Sequence, residues 1–212
     1  MGNFKMQIMG FILSIPALVI ALSFHEFAHG FAAYKMGDNT AKYQGRLSLN
    51  PFHHLDPIGT LCLFLFHFGW AKPVPINPYN FRNRRLGIIV VSLAGPMMNF
   101  LIALISAIIL EFVSPFAGTS LLWEFLLSVL YYCVLLNVGL MCFNLIPIPP
   151  LDGSKVLLEF LPFRYREFFY QAERYSAFIL MALLFTNALN PVLGTMRTFV
   201  LTVISAITGL IF

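Results

Sequence analysis

Eight consecutive residues carry the densest chemistry in the chain: Ser23-Phe24-His25-Glu26-Phe27-Ala28-His29-Gly30. On a helix, residues four apart share a face, so His25 and His29 can hold one metal ion between them. Glu26, one position on, can reach a water at that metal without being a ligand. Two histidines with such a carboxylate are the arrangement of zinc peptidases. Zinc lowers the pKa of its water to ~7, and the carboxylate takes the proton as the water attacks a carbonyl.

The setting of these residues matters as much as their spacing. The chain has 212 residues, 59% hydrophobic and 10% charged, with a mean hydropathy of +0.82. Soluble domains run nearer ~25% charged and ~45–50% apolar, which excludes a water-soluble globule. Disorder is excluded too, because the polar tracts it needs are absent. A span takes ~20 apolar residues, so the length admits four to six spans and short loops, with no room for a soluble domain. Inside a span an ionisable residue costs ~2.5–3.5 kcal/mol on insertion scales and is usually functional. Three of them in metal-ligand register are hard to explain as passive. Cys62, Cys133 and Cys142 lie in apolar runs without paired spacing, so neither a disulfide framework nor a thiolate zinc site is indicated. The net charge of +4 reads as basic loops at a membrane surface, not as a nucleic-acid footprint.

Apolar stretches over 6–34, 87–112 and 121–146 read as spans, and 175–189 and 195–212 as two further apolar segments parted by Asn190-Pro191. The run 58–70 is short for a span, and Pro73, Pro75 and Pro78 forbid a long helix after it. If 58–70 dips in and returns, eleven of the thirteen basic residues fall on one face, and the loop 113–120 has none. The positive-inside rule then makes that face cytoplasmic and sets the N-terminus outside. The expected fold is an all-α membrane protein, a multi-span helical bundle with a re-entrant, β-hairpin-like segment. It forms a single polytopic domain over 1–212, with its core at about 6–160. The prolines suit an edge strand that could take up an extended peptide by β-addition.

Catalytic zinc usually has three protein ligands, so a distant third is required. Glu111 and Glu124 flank the loop opposite the basic face, and Glu159 lies among basic residues. Asp152 differs: it follows Asn144-Leu145-Ile146-Pro147-Ile148-Pro149-Pro150-Leu151, whose prolines unwind a helix at membrane depth. Broken backbone is tolerated there only inside protein or along a wet cavity. His53 and His54 could be auxiliary metal ligands but, in a basic interfacial loop, read rather as structural residues, as does His67, and Gly95 with Asn99 reads as a small-residue packing face.

HEFAH on an early span with NLIPIPPLDG on a later one resembles the site-2 proteases, which are intramembrane zinc metalloproteases. AGPMMN (94–99) on the intervening span matches the same family, and GRLSLNPFHHLDPIGT and WAKPVPINPYNF are similar to its compact prokaryotic branch lacking PDZ and CBS domains. The resemblance implies that His25, His29 and Asp152 bind Zn2+, that Glu26 is the catalytic acid/base, and that Asn144 holds substrate or stabilises the oxyanion. For Asn144 the residues alone leave two readings open, oxyanion donor and helix cap. The implied partners are a lipid bilayer and transmembrane protein or peptide substrates cleaved within or next to their spans, at the cell membrane. Two other classes fit in part: a metal-binding transporter or channel, and a catalytically silent binding protein. A transport path usually needs more intramembrane polar steps than this chain supplies, and no motif residue is missing.

Overall fold

The computed structural model describes residues 2–56, 59 and 71–210. Among these residues the regular elements are helices: α1 (Gly2–Met36), α2 (Arg84–Val113), α3 (Leu121–Asn144), α4 (Asp152–Phe160), α5 (Phe163–Arg174), α6 (Ser176–Phe185) and α7 (Asn190–Thr208). Four stretches are long and apolar enough to cross a membrane: Met9–Met36, Arg84–Phe116, Leu121–Asn144 and Asn190–Thr208. The chain is therefore an all-α, multi-pass membrane protein. At ~1.5 Å per residue, the ten residues of α6 are too few to cross. The last span begins at Asn190, five residues earlier than the hydropathy pattern places it. Pro191 sits in the first turn of α7, where its missing N–H would have no partner anyway.

α2 packs closely against α3, and α1 against both. Two i+4 ridges account for how near α1 and α2 come. On α1, Ala17, Ala21, His25, His29 and Ala33 are all buried; on α2, so are Gly87, Val91, Gly95, Asn99 and Ala103. Such ridges interdigitate when helices cross, and small residues let the backbones approach within a bilayer. The opposite face of α2 exposes Leu86, Val90, Met97, Leu101, Ile105 and Ile109, as a surface solvated by lipid tails should. Below the site a second core joins α2 and α3 to α6 and α7 through Ala103, Val138, Leu180, Leu193 and Val200.

α3 stops at Asn144 because Pro147, Pro149 and Pro150 lack N–H donors and disfavour helix in the residues before them. α4 restarts at Asp152, whose charge suits a helix N-terminus. Gly153 lets that first turn lie against α3: a Cβ there would collide with the Leu145 and Ile146 carbonyls.

Among the described residues there is no β-hairpin. The expected re-entrant run, 58–70, lies outside the described residues apart from Gly59. Among the described residues the only β pairing is one isolated antiparallel bridge, Leu55 with Ala71. Residues 72–77 are extended but not part of a ladder: the Lys72 N–H donates to the His54 carbonyl (2.8 Å) beside the bridge, and beyond it side chains take up backbone groups of the segment. Arg46 donates to the carbonyls of Lys72 (2.8 Å) and Pro73 (3.2 Å). The Val74 N–H donates to Glu26 Oε2 (2.9 Å), and the Asn77 N–H to Asp38 Oδ2 (2.7 Å).

Asp38 also accepts from the Asn80 amide (2.7 Å) and from the hydroxyl and N–H of Thr40. Burial alone would raise its pKa, but the donors from Asn77, Thr40 and Asn80 outweigh it and hold the carboxyl below the usual range. Its contribution to stability is thus complete above the unfolded value of about 3.9 and is lost as pH falls through the lower native value. Asp38→Asn should destabilise the protein by about 1–3 kcal/mol at pH 7. Thermal denaturation in detergent should show the gap between variant and native protein closing below pH 4; a gap independent of pH would contradict the assignment.

Candidate metal centre

His25 and His29 come one turn apart on α1, and the break after α3 swings Asp152 over them. The two Nε2 atoms lie 3.0 Å apart, and Asp152 Oδ2 is 3.3 Å from that of His25 and 3.0 Å from that of His29. All three residues are buried. They form the one group of three or more potential metal donors among the described residues.

Hydrogen bonds on the far side of each ring decide what these atoms are. His29 Nδ1 lies 2.7 Å from the Val91 carbonyl, which only accepts, so Nδ1 carries the proton and Nε2 a lone pair. Pro96 cannot donate to the Ser92 carbonyl and loosens the turn of α2 next to Val91. His25 Nδ1 lies 2.6 Å from Asn99 Oδ1. That amide cannot be reversed, because its Nδ2 donates to the Ala21 carbonyl (3.1 Å) and to Asn137 Oδ1 (2.8 Å). Asn137 is fixed in turn by donating to the Cys133 carbonyl (2.8 Å). A backbone carbonyl at the end of a two-amide chain thus sets the tautomer of His25.

With both imidazoles neutral, three lone pairs converge with no proton among them, an arrangement that repels itself unless a cation is shared. Ligand bonds of ~2.0–2.2 Å in a tetrahedron separate donor atoms by roughly 3.3 Å, close to the spacing observed. Two imidazoles and a carboxylate are also an established donor set for catalytic zinc. The residues fit a zinc ion.

Glu26 stands beside this group but outside it, half-buried, with Oε2 held by the Val74 N–H. Lys155 donates to Asp152 Oδ1 (3.0 Å), leaving Oδ2 to the histidines. These residues line a cavity of about 420 Å³ together with the extended segment (Pro73, Val74, Ile76) and Asn144. Asn144 donates one amide hydrogen to the Leu140 carbonyl (3.0 Å); the other is uncommitted.

Gly95 and Asn99 are more than a packing face. A Cβ at Gly95 would overlap both imidazoles, and Asn99 orients His25. The signal in the sequence was a polar amide on a small-residue face inside a span, where hydrogen-bonding partners are scarce. His54 is buried and its Nε2–H donates to the Ser48 carbonyl (2.6 Å), while His53 is exposed; neither joins the donor group. His67 lies outside the described residues.

The family model for peptidase family M50 matches residues 13–187. The chain is 39% identical over 201 residues to "Putative zinc metalloprotease YwhC" of Bacillus subtilis (strain 168), covering 91% of each protein. It is 32% identical over 187 residues to "Putative zinc metalloprotease Rip2" of Mycolicibacterium smegmatis (85% of this chain, 69% of the relative). It is 28% identical over 154 residues to "Putative zinc metalloprotease MJ0611" of Methanocaldococcus jannaschii (71% and 72%). No solved structure matches the chain. With the match extending over most of the chain and a buried site that fits zinc, the protein belongs to peptidase family M50, the zinc-dependent site-2 proteases.

Proposed function

We propose that this protein hydrolyses peptide bonds within or next to the transmembrane segments of membrane proteins, as a step of regulated intramembrane proteolysis at the cell membrane. The observation that carries this reading is the division among the ionisable groups at the cavity: His25, His29 and Asp152 converge as lone-pair donors, while Glu26 is turned onto a backbone N–H.

In this reading His25, His29 and Asp152 hold zinc, which supplies a Lewis acid and lowers the pKa of water to ~7. Glu26 Oε2 stays on the Val74 N–H, so Oε1 takes the proton of the attacking water and returns it to the departing amide nitrogen. The free Nδ2–H of Asn144 can donate to the developing oxyanion. A helical substrate hides its carbonyls in hydrogen bonds and must unwind to react. The proline-broken backbone and the extended segment 72–77 offer room along the cavity for an unwound stretch.

The Leu55–Ala71 bridge returns the chain after residue 70 to where it was before residue 57, which supports a re-entrant path. The loops on either side then share one face with Lys155, and the cytoplasm is the side the positive-inside rule selects.

Four outcomes are expected. Metal analysis should find about one zinc per native chain and almost none in His29→Ala. Asn99→Leu should bind zinc ~10–100-fold more weakly in chelator competition. Undiminished zinc in His29→Ala would reject the ligand set. Glu26→Gln should keep zinc and substrate binding yet lose ~10²–10⁴ in cleavage rate, measured on a reconstituted transmembrane substrate; native-rate cleavage would reject the mechanism. A transporter would show neither cleavage nor this separation. Single cysteines at the exposed Tyr43 and Tyr79 should react from the same side with a membrane-impermeant reagent, and opposite labelling would mean that the chain crosses between them.

A further inference from the structure

Arg197 belongs neither to the metal centre nor to the basic loops. In the other spans Lys and Arg occur only near helix ends, at Lys35, Arg84 and Arg85. Arg197 instead lies seven residues into α7, about 10 Å along the helix from Asn190. It is exposed, and its guanidinium lies across α3 at Gly139. A Cβ there would be 3.5 Å from Nη2 and 3.8 Å from both Cζ and Nε, so the flat face of the group rests where no side chain intervenes. Among the described residues it has no hydrogen bond and no ion pair.

A charged fork with five donors at this depth is among the costliest placements in a bilayer unless something answers it. The chain's own acids do not: Glu26 and Asp152 are engaged at the cavity, and Glu111 and Glu124 lie near the opposite ends of α2 and α3. The nearer surface is the one with the basic loops. Gly139 is five residues from the Asn144 end of α3, the end from which the chain leads on to Lys155.

We propose that Arg197 binds the phosphate of an anionic phospholipid drawn from the leaflet on the side of the basic loops. The acyl chains would lie along α3 and α7. Guanidinium matches phosphate with two parallel hydrogen bonds and is weakly hydrated for a cation, which suits a partly dehydrated contact. An anionic headgroup is favoured over a zwitterionic one because it has no ammonium of its own to compete for the phosphate.

The test is native mass spectrometry of the full chain released from nanodiscs of equimolar phosphatidylglycerol and phosphatidylcholine. The native protein should enrich phosphatidylglycerol about fivefold at one site. Arg197→Leu should remove the enrichment and Arg197→Lys should keep part of it, both with zinc content unchanged as the check on folding. If Arg197→Leu does not fold, Arg197→Gln takes its place with the same expectation. Millimolar inorganic phosphate should not displace the lipid. Full enrichment in the neutral variant, or displacement by free phosphate, would overturn the proposal. So would a native protein without lipid preference that carries a co-purified acidic transmembrane segment.

Discussion

Three lone pairs forced together in a dry interior are the arrangement on which the rest of the structure depends. Charges and dipoles repel strongly where the effective dielectric is low, so His25, His29 and Asp152 would separate if their surroundings allowed it. Each is prevented by a bond on its outer side: His25 by Asn99, His29 by the Val91 carbonyl, Asp152 by Lys155. Two glycines remove the bulk that would hold the parts away from one another. Gly95 admits the imidazoles to the face of α2, and Gly153 admits the first turn of α4 to the end of α3. Hydrogen bonds to the outer ring nitrogens fix the orientation of the imidazoles and raise their basicity.

Two irregular segments border the same cavity, and backbone of that kind is tolerated at membrane depth only against protein or water. One is the proline run after α3, where missing donors leave fewer groups to satisfy. The other is the extended segment 72–77, where Arg46, Glu26 and Asp38 bind the carbonyls of Lys72 and Pro73 and the N–H groups of Val74 and Asn77. The second solution is unusual in that a proposed catalytic carboxylate is one of the anchors. Glu26 thereby has one oxygen fixed and one free, an asymmetry that no feature of the helix itself would impose.

The geometry of the candidate donors was legible wherever it is local. The i, i+4 histidines and the helix-breaking prolines before Asp152 follow from rules that act within a few residues, as does the start of α3, whereas α1 runs four residues earlier and two later than the reading of 6–34 and α3 ends two residues before 146. What was not legible depends on partners far apart in the sequence. Asn99 looked like packing because the His25 nitrogen it meets is 74 residues away. The segment 72–77 looked like an edge strand because prolines and extended backbone fit one, yet the groups that bind it are side chains from α1 and the loop after it. The start of α7 was misplaced for a simpler reason: Pro191 reads as a break in a hydropathy profile, while a helix accepts proline in its first turn.

The donors themselves come from opposite sides of the proline break. Two stand on α1 and the third at the start of α4, separated by more than half the chain. A metal shared among them would act as a cross-link, closing a very long loop whose closure entropy has already been spent in the folded bundle. Its removal would leave α4 held near the site chiefly by the Gly153 contact and by packing beyond it. Occupancy of the centre and the rigidity of the hinge after α3 are then one property, and a chelator would loosen the passage to the cavity as well as silence the chemistry inside it.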